Sequence, residues 1–145
     1  MEPAIERTIR ESPLFKHLTE DQIEALIDAS SLISPPPNTV LVEENQPVDY
    51  LYIVERGRVH VSTDSPSKAQ VDLKTMGPGA YFGEVSLISG KNATATVKTG
   101  DPKTLLVTID KDVLSTLVEE DEKIRRMLQS VTLARAKDTI GKVLK

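Results

Sequence analysis

The chain has no cysteine, no tryptophan and only two histidines. Without cysteine there can be no disulfides and no thiolate metal sites. His17 falls in a loop before a helix and His60 in mid-strand, which does not make the ligand set of a catalytic zinc. Aromatic residues make up 3% of the chain, and 18 Lys and Arg stand against 22 Asp and Glu, for a net charge of −4. With no basic run interleaved with aromatics, nucleic-acid binding by this chain alone is not expected. No apolar run approaches the length of a membrane span, and the first residues, Met1 to Arg7, lack a secretory signal pattern. A cytoplasmic location without membrane insertion is the expectation. There is no nucleophile elbow and no Walker-type lysine-serine motif. The paired carboxylates Glu43-Glu44 and Glu119-Glu120 read as solvated faces. No enzyme, no metal and no cofactor are expected.

What remains is a chain of 145 residues, 39% hydrophobic and 28% charged, suited to a single domain with a real core. Residues 1–34 read as helical. Thr19 and Gln22 form a capping box, and Ile23, Leu26 and Ile27 follow at helical spacing. Pro35-Pro36-Pro37 stops that organisation. Residues 38–109 are short β-segments broken by turns: 40–42, 50–54, 58–62, 70–73, 95–97 and 104–109. Gly57 fits a hairpin that needs positive φ. Closely spaced short strands predict a mainly β, α+β fold: a double-stranded β-helix, or jelly-roll barrel, flanked by helices. Residues 110–145 turn helical again. Asp110 caps a helix with Val113, Leu114, Leu117 and Val118. A second helix opens on acidic residues 119–122, favourable for its dipole, and carries two apolar faces: Ile124, Leu128 and Val131, then Ala136, Ile140, Val143 and Leu144.

The most informative stretch is Gly79 to Val97, with Phe82-Gly83-Glu84-Val85-Ser86 at its centre. A glycine lets backbone approach a ligand closely, because no Cβ intervenes. A short helix opening at Gly83 would present free N–H groups to an anion. Glu84 would repel a phosphate placed beside it, and is better suited to accept from a ribose hydroxyl slightly off the phosphate. Gly90 then turns the chain towards the Ala95-Thr96-Val97 strand.

This arrangement resembles the phosphate-binding cassette of cyclic nucleotide-binding domains, as found in cyclic-nucleotide-dependent protein kinases, gated channels and bacterial catabolite-activator regulators. The resemblance covers the chain from about Pro13 to the final helix. Ile53, Val54, Gly57 and Val59 match a family register, and Asn45 stands where the family has a turn glycine, a replacement compatible with left-handed backbone. The resemblance implies cyclic AMP or cyclic GMP, or a related nucleotide or nucleoside, as ligand. Glu84 would hold the ribose 2′-hydroxyl, and Gly83, Val85 and Ser86 the phosphate. Val61 and Leu73 would line the base pocket, and the C-terminal helix would close as a lid through Val131, Thr132 and Arg135. Thr94 matches a threonine common in members that favour cyclic GMP, although threonine is also simply a good strand former.

One departure matters. Where the family has an arginine nine residues beyond the glutamate, this chain has Ala93. An arginine supplies a planar fork of charged donors that a methyl cannot replace. Lys91 and Lys98 are near in sequence and read as solvated. Two functions fit these residues. One is a cyclic nucleotide-binding-type sensor with weakened or altered recognition. The other is a degenerate, non-binding member that serves as a protein-interaction or dimerisation module, using the C-terminal helix to meet a second copy or an effector domain. Glu84 speaks for the first and Ala93 for the second.

Overall fold

The computed structural model describes residues 3–64, 70–83, 90–120, 122, 123, 125 and 126; for 64 and 70–73 it describes backbone only. Two helices open the chain, α1 (Pro3–Glu11) and α2 (Glu20–Ala29), with a 3-10 turn (Pro13–Phe15) between them. Ser12 caps that turn by accepting from Leu14 N–H. The capping box at α2 is present in both halves: Gln22 N–H donates to Thr19 Oγ1 at 3.2 Å, and Thr19 N–H to Gln22 Oε1 at 2.9 Å.

Among the described residues eight strands follow: β1 (Ser30–Ile33), β2 (Val40–Val42), β3 (Tyr50–Arg56), β4 (Val59–Asp64), β5 (Gln70–Met76), β6 (Tyr81–Phe82), β7 (Thr96–Thr99) and β8 (Leu105–Asp110). They form two four-stranded sheets, ordered β1-β8-β3-β6 and β2-β7-β4-β5, with every pairing antiparallel. This is the expected jelly-roll arrangement. Helix α3 (Lys111–Glu120) begins where Asp110 Oδ1 accepts from Asp112 N–H at 2.8 Å, the cap read from the sequence.

Two cores result. Ile5, Ile9, Phe15, Ile23, Leu26, Leu114 and Leu117 of the helical layer pack on Leu51, Ile53, Val107 and Ile109 of the first sheet. Val42, Tyr52, Val54, Val59, Val61, Met76, Phe82, Ala93, Val97 and Leu106 form a second cluster between the sheets. Side chains alternate across a strand, so β3 sends Leu51 and Ile53 to the helices and Tyr52 and Val54 into the barrel. Burial on both faces explains why Tyr50 to Val54 reads as a continuous apolar run rather than an alternating one.

Two expectations need correction. Residues 30–33 are not part of the N-terminal helices: they form β1, pairing with β8 from Ser30↔Ile109 to Ile33↔Leu106. Adjacent serines favour helix ends over interiors, and Pro35 drives the residue before it to extended backbone. Gly57 does have positive φ, at +87°, but β3 and β4 lie in different sheets, so it turns a corner between sheets and not a hairpin. A Cβ there would come within 2.6 Å of the Thr104 backbone. Asn45 is left-handed, with φ of 69°, as its sequence position indicated.

Candidate functional site

Phe82 and Gly83 close β6 and deliver the chain to the cassette. Phe82 is buried and its ring stacks on Tyr52, with centroids 4.9 Å apart and planes 10° from parallel. Burial pushes the Tyr52 phenol pKa up, and its protonated hydroxyl donates to Leu41 O at 3.3 Å. Gly83 has φ of +98°, and a Cβ on it would lie 2.5 Å from Tyr50 O. Only glycine fits, because the β3 backbone occupies the space a side chain would need. Glu84, Val85 and Ser86 lie outside the described residues, as do Val131, Thr132 and Arg135.

Ala93 is locked in place. It is 5% exposed and belongs to the core between the sheets. Both of its backbone groups bond to the turn at residues 45 and 46: Asn45 N–H donates to Ala93 O at 2.8 Å, and Ala93 N–H to Gln46 O at 2.9 Å. The Asn92 side-chain amide donates to Asn45 O at 2.9 Å and fastens the same turn. Val61 is buried in the same core as Ala93. Leu73 lies on β5 where pairing with β4 shifts register, between Val61↔Lys74 and Ser62↔Asp72. Thr94 is exposed. Lys98 alternates on β7 with buried Val97 and Thr99, so it lies on the opposite face of the strand from the barrel core. Lys91 is exposed.

The sequence misjudged Glu44. It is half-buried and not a solvated face. The Thr63 hydroxyl donates to the Glu44 carboxylate, and the Glu44 N–H donates to Thr96 Oγ1 at 3.0 Å. Thr63 is 5% exposed and its Oγ1 lies 3.5 Å from Thr94 O. Glu44 lies in the turn that follows β2 (Val40–Val42), where strand alternation gives no signal for its direction. His60 is occupied structurally, with Nδ1 2.9 Å from Thr75 Oγ1 and its ring where a Gly100 side chain would stand.

The described residues thus form a two-sheet jelly roll with helices packed on one sheet, and a glycine of positive φ at the turn leaving β6. The family model for the cyclic nucleotide-binding domain matches residues 32–121. The chain belongs to that family. It is 28% identical over 130 residues to the cAMP-dependent protein kinase regulatory subunit of Aspergillus fumigatus, covering 83% of this chain and 31% of that protein. It is 33% identical over 94 residues to a cyclic nucleotide-gated potassium channel of Mesorhizobium japonicum, covering 65% of this chain and 24% of the channel. Among solved structures, the regulatory domain of Toxoplasma gondii PKA, co-crystallised with cAMP, superposes with a TM-score of 0.72 at 28% identity, over 78% of this chain and 42% of that one. The chain thus spans about a third or less of the curated relatives' length. No helix among the described residues is long and apolar enough to cross a membrane.

Proposed function

We propose that this chain is a ligand-gated regulatory module, without catalytic activity of its own, whose phosphate recognition is weakened. Cyclic AMP, cyclic GMP or a related nucleotide or nucleoside enters the barrel. Glu84 accepts from the ribose hydroxyl, and the amides of Gly83, Val85 and Ser86 receive the anion with help from the Thr94 hydroxyl. Val61 and Leu73 line the base side, and the C-terminal helix closes through Val131, Thr132 and Arg135. Closure signals the bound state only to the extent that the closed arrangement binds ligand better than the open one. A second copy or an effector domain reads that state from the C-terminal helix. Membership of the cyclic nucleotide-binding family supports the ligand class.

The observation that carries the weakening is Ala93, a buried methyl with both backbone groups already bonded. In related domains an arginine at this place would give charge-assisted hydrogen bonds of roughly 1.5–3 kcal/mol each. Losing a bidentate pair lowers affinity by about two to four decades, at roughly 1.4 kcal/mol per tenfold. Calorimetric titration of the chain and of Ala93→Arg with adenosine, guanosine and the two cyclic nucleotides, cyclic AMP and cyclic GMP, tests this. The arginine variant is expected to gain at least about tenfold for one of them. If neither form binds any nucleotide or nucleoside, the module works through a protein partner instead.

A further inference from the structure

We propose that residues 127–145 of this chain dock in the apolar groove between α2 and α3, so that the C-terminal segment rests on its own helical layer. The groove has a volume of about 420 Å³. Leu26 and Leu117, both buried, line it together with exposed Ala25 and half-buried Val113. Exposed Asp21 and Glu120 add one carboxylate from each helix. Apolar surface of this kind gains by being covered.

Three features favour this segment as the occupant. The first is charge. Glu20 of α2 is bonded to Arg10, but Asp21, Glu24 and Asp28 of the same helix, with Glu119 and Glu120 of α3, have no ion pair among the described residues. Residues 127–145 carry Arg135, Lys137, Lys142 and Lys145 against Asp138 alone. The same face of a second copy would set like charges against one another, which opposes pairing. The second feature is pattern. Ala136, Ile140, Val143 and Leu144 recur at the spacing of one helical face, the stripe that a groove between helices receives.

The third feature is reach. Arg125 and Arg126 are helical, and Arg126 lies about 9 Å beyond Glu120 along a helix axis. A helical hairpin turns in about five residues. About fourteen residues then remain to return antiparallel, roughly 21 Å as helix. The groove residues from Val113 to Glu120 span about 11 Å. The returning segment would therefore pass Glu120, reach the level of Val113, and bring Ile140, Val143 and Leu144 alongside the groove. A second copy or an effector domain would have to displace it before reading it. The docking does not rest on the identity of the barrel's ligand.

The absence of cysteine allows cross-linking of the full chain, with circular dichroism to confirm folding. Ala25→Cys is combined with Val143→Cys and treated with a short bis-maleimide at low protein concentration. The control combines Val143→Cys with Val40→Cys, an exposed position in the other sheet. The groove pair is expected to join within one chain at least about tenfold faster than the control, through raised local concentration. Adding Ile140→Asp should remove most of that advantage. Equal rates for the two pairs would overturn the proposal, as would an undiminished rate with Ile140→Asp. Products that link two chains in place of one would also overturn it, and would give the groove to a second copy.

Discussion

Arg7 on α1 donates to the carboxylate of Glu55 on β3, an ion pair that ties the first helix to the sheet. The two ends differ sharply in environment: the Arg7 side chain is 56% exposed and that of Glu55 only 6%. The second Glu55 oxygen has no hydrogen-bond partner among the described residues. Removing Arg7 leaves the buried carboxylate with no side-chain hydrogen bond and only Arg56 Nε, 4.0 Å from its second oxygen, as a charged neighbour, and the cost lies in that exposure to an apolar setting more than in the lost attraction. Arg7→Met is therefore expected to lower unfolding free energy by about 1–3 kcal/mol, the penalty for an unsatisfied buried group. Denaturant unfolding measures it, and adding Glu55→Gln should return part of the loss. If Arg7→Met unfolds at the same midpoint as the unaltered chain, the pair does not hold the helix.

Gly83 offers the most sensitive backbone position. Its positive φ and the Tyr50 carbonyl 2.5 Å from a would-be Cβ leave alanine no unstrained conformation. Gly83→Ala should cost about 1–3 kcal/mol, typical of a residue forced into sparsely populated backbone space. Gly79 also has positive φ but open space around it, so Gly79→Ala should cost less. Equal midpoints for the two variants would contradict the clash.

Ala93→Arg couples stability to binding. Placing a long charged side chain at a position 5% exposed overpacks or distorts the inter-sheet core, at about 1–3 kcal/mol. The ligand-free variant is expected to melt below the unaltered chain, and saturating cyclic nucleotide should recover the difference by mass action. A variant as stable as the parent without ligand would show that the barrel mouth already has room for the guanidinium.

The outer face of the helical layer carries a pH-dependent element. Arg10 binds Glu20 through two bonds of 2.6 and 3.0 Å, and this holds the Glu20 carboxyl below its ordinary value of 4.5. A carboxylate depressed in the folded state contributes stability above its unfolded value and loses it as pH falls through the folded one. Melting temperatures of the unaltered chain and of Glu20→Gln should therefore differ most near neutrality and converge below pH 4.5. The pair is exposed, so salt should shrink the gap. A constant difference down to acid pH would assign Glu20 a role other than charge.

Much of this architecture was legible because its signals are local. The Thr19 capping box, Asp110 at the start of α3 and the left-handed Asn45 each rest on side-chain chemistry within a few residues, and all three are present. β1 was missed because its four residues follow α2 directly, and only pairing with β8, far away in sequence, makes them a strand. Gly57 showed its conformation but not its topology, since positive φ serves a hairpin and an inter-sheet corner equally well. Glu44 failed for a related reason. Adjacent carboxylates usually face water, and the Thr63 hydroxyl that draws one of them inward lies 19 residues away.

Because β3 contributes alternate side chains to both interiors, it has no inert face to absorb a displacement. A shift of Tyr52 or Val54 caused by an occupant of the barrel moves the same peptide planes that carry Leu51 and Ile53 beneath the helices. Under the proposed function, binding and scaffold would meet within a single seven-residue strand, and a message from barrel to helices would travel no farther than the thickness of one sheet.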